Sequence, residues 1–196
     1  NWVITFDQDS FFEKNEIKRY FSIAEKIIKK DKKAVSFSPN YNRPFKNQAI
    51  EVKSVITSGN VLSLNAWKDA GKFDNKLFIN EVDTIFCYHL LKKGYKIYQI
   101  DGARMKHNVF DKYLKIWGPK MIYKIRVDDS PTAKYYQTRN SFEKNRLFPD
   151  ISENRNFLIK LILKVVFFER QKLKKLKMIW KGYKDYKARR FGKISF

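Results

Sequence analysis

The stretch Trp2-Val3-Ile4-Thr5-Phe6-Asp7-Gln8-Asp9-Ser10 decides how this chain is read. Apolar and β-branched residues from Trp2 to Phe6 end abruptly in an acidic turn, the pattern of a strand buried on both faces inside a parallel sheet. Such a strand needs neighbours on both sides. None precedes it here, so either later strands flank it on both sides or, as favoured here, the natural protein has an upstream half that this chain lacks. Asp7 and Asp9 stand two apart at the carboxyl end of that strand, the edge where open α/β sheets bind ligands. Extended geometry puts both carboxylates on one side, able to share a hard divalent cation that bridges the phosphates of a nucleotide. The same residues would also make a solvated turn in which Ser10 and Asp9 compete to cap the next helix.

Outward from that turn, Ser10 with Glu13 forms a capping box, and Ile17, Tyr20, Phe21, Ala24, Ile27 and Ile28 recur at helical spacing. Ala34 to Ser38 reads as a second strand, closed by Pro39 and a polar loop through Gln48. Ile50 to Thr57 reads as a third, ending at Ser58-Gly59-Asn60. A short helix over Asn65 to Ala70 stops at Gly71, a suitable C′ residue. Val82 to Lys93 is helical with Gly94 behind it, and Tyr95 to Ile100 alternates as a strand. After Ala103 to His107 the pattern is mainly helical. The order is that of an α/β domain over residues 1–150, followed by a tail over residues 151–196 where the composition turns aromatic and basic.

The 196 residues carry 42 Lys plus Arg against 20 Asp plus Glu, a formal charge of +22. With 43% hydrophobic residues and 16% aromatics, the chain can build a core, which excludes a disordered basic tail. One cysteine, Cys87, excludes a disulfide framework and any multi-cysteine metal site. No apolar run approaches the length of a membrane span, and no stretch reads as a signal peptide. The charge implies an acidic partner: nucleic acid, anionic lipid or a phosphorylated substrate. Its distribution is uneven. From Arg155 onward fourteen basic residues face only Glu169 and Asp185, which places +12 of the charge in the tail.

Further candidates for chemistry lie in the middle of the chain. Glu81 and Asp83 open a helix, where carboxylates complement the dipole and one of them is also suited to act as general base for a hydroxyl. His107 follows a strand, while His89 lies within a helix and reads as structural. Cys87, between Phe86 and Tyr88, suits a buried inert thiol.

The ordered set Trp2 to Ser10, Thr57-Ser58-Gly59-Asn60, Ala70-Gly71-Lys72-Phe73-Asp74, Leu77-Phe78-Ile79 with Val82-Asp83, Gly94-Tyr95-Lys96, His107, and Tyr135-Tyr136-Gln137-Thr138-Arg139-Asn140 resembles the family 2 glycosyltransferases, in their rhamnosyltransferase-like branch. The resemblance covers nearly all of the chain. It implies a partial GT-A fold, a Rossmann-like mixed sheet with flanking helices, preceded in that family by further βαβ units that bind the nucleotide. It implies Asp9 as direct ligand of Mg²⁺ or Mn²⁺, Asp7 as a contact to the nucleotide sugar that also helps hold the metal, and His107 as a further metal or diphosphate contact. Asp83 takes the place of the catalytic base of an inverting transfer, with Glu81 one position of ambiguity away. Ser58, Gly59 and Asn60 would shape the loop under donor and acceptor, and Arg139 and Asn140 match the family's Arg-Asn pair, Arg139 able to grip a phosphate bidentately. Where many relatives carry an acidic residue and an arginine flanking the cysteine position, this chain has Ile85 and His89.

The implied partners are a nucleotide-sugar donor and a lipid-linked or polysaccharide acceptor, and the implied place is the cytoplasmic face of a bacterial plasma membrane. The tail fits that place. Phe157 to Phe168 is apolar apart from Lys160 and Lys164, and Lys172, Lys174, Lys175 and Lys177 follow, with Trp180 and Tyr183 beyond. Twelve such residues are too few to span a bilayer, so the segment would lie in the interface of an anionic membrane, or else pack on the catalytic domain with a solvated basic face. Two other classes stay open: a nucleic-acid-binding module, which no zinc-finger spacing or RNA-binding signature supports, and a catalytically silent interaction fragment.

Overall fold

The structure, a computed structural model, describes residues 1–8, 10–12, 15–40, 48–101, 105–107, 113–117, 122–126, 129–152 and 156–194. Its elements run β1 (Trp2–Thr5), β2 (Ser10–Phe12), α1 (Glu16–Lys30), β3 (Ala34–Pro39), β4 (Ala49–Glu51), β5 (Asn60–Ser63), α2 (Leu64–Asp69), a 3₁₀ turn (Asn75–Leu77), α3 (Val82–Lys92), β6 (Lys96–Ile100), β7 (Met105–His107), β8 (Tyr113–Trp117), β9 (Ile122–Arg126), α4 (Pro131–Leu147), α5 (Phe157–Phe168) and α6 (Lys172–Lys187). They form two compact units, residues 1–74 with 82–109, and residues 75–81 with 110–196. Within the second unit α4 packs against the tail helix α6.

The first unit is a five-stranded mixed sheet in the order β1-β5-β3-β6-β4. Only β3 and β6 pair in parallel; β5 is antiparallel to both β1 and β3, so β1, β3 and β6 all point the same way. Helices cover both faces. Tyr20, Ile23 and Ala24 of α1 pack with Phe37, Val61 and Ile100, while Ala66 of α2 and Phe86, Cys87 and Leu90 of α3 pack with Val35, Leu62 and Ile97. Alternation accounts for Val61 and Leu62 facing opposite ways. Val35 and Phe37 would then share a face, but the register shifts between Ala34 and Ser36, and that irregularity sends them to opposite layers. The result is a partial Rossmann-like α/β arrangement.

Several sequence expectations are corrected here. β1 pairs antiparallel to β5 instead of lying within a parallel run, and among the described residues it is the edge of the sheet, with Trp2 41% exposed. Ser10 caps no helix, because it lies in β2, paired with β7; α1 begins at Glu16 after Asn15, which stands in the left-handed region. The expected strand over Ile50 to Thr57 shrinks to β4, and Ser58-Gly59 opens β5 instead of closing a strand. Beyond β7 the chain forms the β8–β9 hairpin before it turns helical.

In the second unit α6 crosses α4 at Gly182, where an added Cβ would sit 2.5 Å from the Tyr135 carbonyl oxygen. Phe142 stacks on Tyr186, and Glu143 takes paired hydrogen bonds from Arg146 and Arg189. Burial alone would push the Glu143 carboxyl up, but the hydrogen bonds and charges of the two arginines outweigh it and hold the group at about 2. The folded value lies below the ordinary one, so the contribution is complete above about pH 4.5 and is lost as pH falls toward 2. Both arginines are half in water, which screens the pair, so we expect the loss to be about 1 kcal/mol. Urea unfolding at stepped pH checks this, and in Glu143→Gln that part of the acid slope should vanish.

Candidate functional site

Because β1, β3 and β6 run parallel, their carboxyl ends share one edge, and β5, running against them, begins there. At that edge the chain leaves β1 through Asp7, whose side chain is exposed and whose backbone N–H donates to Ser58 Oγ at 3.1 Å. Thr5 Oγ1 donates to the Thr57 carbonyl at 2.5 Å, and Gly59 N–H returns to the Thr5 carbonyl at 2.7 Å. The turn Ser58-Gly59-Asn60 is thus stitched to the strand that carries Asp7. Ser58 and Asn60 are buried, and Asn60 Oδ1 accepts from Ser36 Oγ at 3.0 Å.

Gly59 is required twice over. Its φ is +72°, and a Cβ there would meet Met105 Sδ at 2.8 Å and Pro39 Cγ at 2.9 Å. Gly59→Ala combines the left-handed penalty with overpacking, so we expect a loss of about 2–4 kcal/mol in urea unfolding. Met105 also shows where β7 runs. In the antiparallel β2–β7 ladder Ser10 lies directly opposite His107, so the backbone of the expected histidine contact faces the residue after the Asp-x-Asp triplet. Asp9 itself, and the His107 imidazole, lie outside what the structure describes. Among the described residues no group of three or more His, Cys, Asp or Glu could hold a metal. The donor set that the triplet offers, carboxylates with a hydroxyl beside them, has the hard-oxygen chemistry of Mg²⁺ or Mn²⁺.

Asp83 stands in the first turn of α3 and accepts from Thr84 N–H at 3.1 Å. The turn Lys93-Gly94 folds α3 straight back into β6, and Tyr95 N–H bonds the Leu90 carbonyl. Eleven helical residues cover about 16 Å and five strand residues about the same, so the first turn of α3 is level with the carboxyl end of β6. Asp83 therefore belongs to the same edge as Asp7 and Ser58. One turn on, burial pushes the Cys87 thiol up to about 12, with the Asp83 charge adding to the effect, so this cysteine is no nucleophile. His89 is held below the usual imidazole range by burial and by Lys92, against the pull of Asp74.

Glu81, Arg139 and Asn140 form a cluster within the second unit. Arg139 is fully buried and its five N–H groups are all spent internally: Nε on Asn140 Oδ1, Nη1 on the Tyr135 hydroxyl and the Gly192 carbonyl, Nη2 on the carbonyls of Lys76 and Leu77. Asn140 Nδ2 spans the carbonyls of Leu77, Ile79 and Asn80 at 2.7–3.0 Å. Glu81 is bound by Lys144 through two contacts of 2.8 Å and accepts from Ser141 Oγ. These side chains hold a segment whose Phe78, Asn80 and Glu81 all have φ near +63°. In this arrangement they fix that strained backbone.

Sequence reading missed Tyr20, whose buried hydroxyl donates to the Phe37 carbonyl at 2.6 Å and lies 2.9 Å from the Gly59 carbonyl, bracing the turn from below. The available signal was a tyrosine on the apolar face of α1, since a buried phenol needs a partner.

Against this geometry, the chain is similar to the dTDP-rhamnosyl transferase RfbF of Shigella flexneri, with 33% identity over 99 residues. That stretch is 50% of this chain and 30% of that protein, so the match spans under a third of the relative's length. The likeness supports a glycosyltransferase-like relationship. No family model matches the chain, and no solved structure matches it.

Proposed function

We propose that this chain carries the catalytic edge of an inverting, metal-dependent glycosyltransferase of family 2 type, with a partial GT-A fold. Its donor would be a nucleoside diphosphate sugar, dTDP-rhamnose by the likeness to RfbF, and its acceptor a hydroxyl of a lipid-linked or growing surface polysaccharide. The observation that carries this reading is the common edge of Asp7, Ser58-Gly59-Asn60, the Ser10–His107 pair and Asp83.

Asp83 takes the proton of the acceptor hydroxyl as its oxygen attacks the anomeric carbon. A carbon–oxygen bond forms on one face while the bond to the diphosphate breaks on the other, and the nucleoside diphosphate leaves with the electron pair. The Ser58-Gly59-Asn60 turn supplies a close-packed floor beneath the reacting sugar. Asp7, Asp9 and His107 would hold the cation, which when bound offsets charge on the departing phosphate.

Titration of dTDP-rhamnose into the full-length protein with Mn²⁺ tests the reading. We expect metal-dependent binding that weakens at least about tenfold in Asp7→Ala. Tight, salt-sensitive binding of duplex DNA with no nucleotide-sugar binding would replace transfer by nucleic-acid recognition.

A further inference from the structure

The tail helices present an apolar surface that the glycosyl-transfer reading does not use. α5 is apolar at every position except Lys160 and Lys164, yet only Val165 is buried. With 100° between successive residues, Ile159, Leu163, Val166 and Phe167 fall in a stripe about 100° wide, on the side of the helix away from Val165. All four are exposed, Phe167 by 66%. On α6, Leu173 and Trp180 are apolar and exposed as well, by 76% and 60%. Exposed Lys160, Lys172, Lys174 and Lys177 lie among them.

This surface is held rigidly. Glu169, at the C-cap of α5 and fully buried, bonds Lys134 of α4 at 2.7 Å and Lys175 of α6 at 2.8 Å. Asp129 completes the cluster, 2.8 Å from Lys134 and 3.7 Å from Lys164. Removing Glu169 would take away the carboxylate that buried Lys134 and Lys175 share, so this cluster ties the elbow between α5 and α6 to α4.

We propose that the outer stripe of α5, with Leu173 and Trp180, beds into an anionic bilayer surface. Charge selects this occupant. The tail carries +12, so a second copy of the chain seated on the same face would bring like charges together, whereas acidic headgroups meet the lysines while the apolar side chains enter the acyl boundary. Geometry sets the orientation. Twelve helical residues reach about 18 Å against a hydrocarbon core of about 30 Å, so α5 lies in the plane of the membrane. No helix among the described residues is long and apolar enough to cross one. The lysine stems can lie along the apolar surface with their ammonium groups at the phosphates.

The test is co-sedimentation with vesicles of phosphatidylcholine alone or mixed with phosphatidylglycerol, with no sugar nucleotide present, so its outcome is independent of the transfer reading. The protein should sediment with the mixed vesicles and far less with the neutral ones. Leu163→Ser with Phe167→Ser should lower partitioning at least about tenfold, and Leu173→Ser should lower it less. Replacing Lys172, Lys174 and Lys177 by Gln should weaken binding about fivefold per charge and flatten its salt dependence. These positions are exposed, so unfolding midpoints should not move. Equal partitioning of all variants would overturn the proposal. So would a dimer in the ultracentrifuge that the Leu163/Phe167 variant dissociates, in the absence of vesicle binding.

Discussion

Arg139→Met should lower the stability of the second unit by about 3–5 kcal/mol, a loss large enough to unfold a marginal domain. The guanidinium is buried without a carboxylate among the described residues; carbonyl oxygens and the rings of Tyr135, Tyr136 and Phe191, each 5.0–5.3 Å away, meet its charge. Truncation to an apolar chain of similar length keeps most of the volume. What it loses is the set of donors to the carbonyls of Leu77, which is buried, and of Gly192, which is half-buried, satisfied at 2.9 and 2.8 Å. Arg139→Lys should do little better, because one ammonium cannot reproduce a planar fork that bonds two backbone segments at once. Hydrogen exchange supplies the local readout: the Gly192 amide, bonded to the Lys76 carbonyl, and the Ile194 amide, bonded to the Tyr136 hydroxyl, should lose protection first. A lysine variant as stable as the parent would show that the charge, and not the fork, is what the site needs.

That result bears on what a sequence can reveal. The Arg139-Asn140 pair is visible as a motif, but its partners lie about 60 residues upstream in a loop with left-handed residues, and no local pattern announces such a pairing. The elements that were legible are those whose residues repeat with a clear period over many positions, α1 and α3, or that form short apolar runs closed by a breaker, β3 and β6. β1 is legible as a strand, but its antiparallel pairing with β5 is not, because an apolar run records burial and not the direction of its neighbours. The β8–β9 hairpin was missed because each strand sets a lysine at its centre, Tyr113-Leu-Lys-Ile-Trp117 and Ile122-Tyr-Lys-Ile-Arg126, so neither period emerges over five residues. The turn at Ser58-Gly59-Asn60 was read correctly as a turn and assigned to the wrong strand. Its glycine marks a sharp reversal, but nothing local says whether a strand ends or begins there.

Asp83→Asn should reduce glycosyl transfer by about 10²–10⁴-fold while donor affinity stays within about twofold of the parent. The split follows from the proposed role: the carboxylate acts on the acceptor hydroxyl, and an amide of the same shape preserves the hydrogen bond from Thr84 N–H while losing the capacity to take a proton. Glu81 is the competing candidate, and its surroundings distinguish the two. Its carboxylate is paired with Lys144 and accepts from Ser141, so its oxygens are already engaged within the fold. Glu81→Gln should therefore act mainly on stability, by breaking a part-buried ion pair, and any fall in transfer should track the folded fraction. Donor affinity measured by titration and transfer measured in a single turnover separate these cases. A large loss of donor affinity in Asp83→Asn would place that residue with the nucleotide, and full transfer activity would remove it from the chemistry. The opposite assignment, in which Glu81→Gln abolishes transfer at unchanged stability, would require the Lys144 pair to open during turnover.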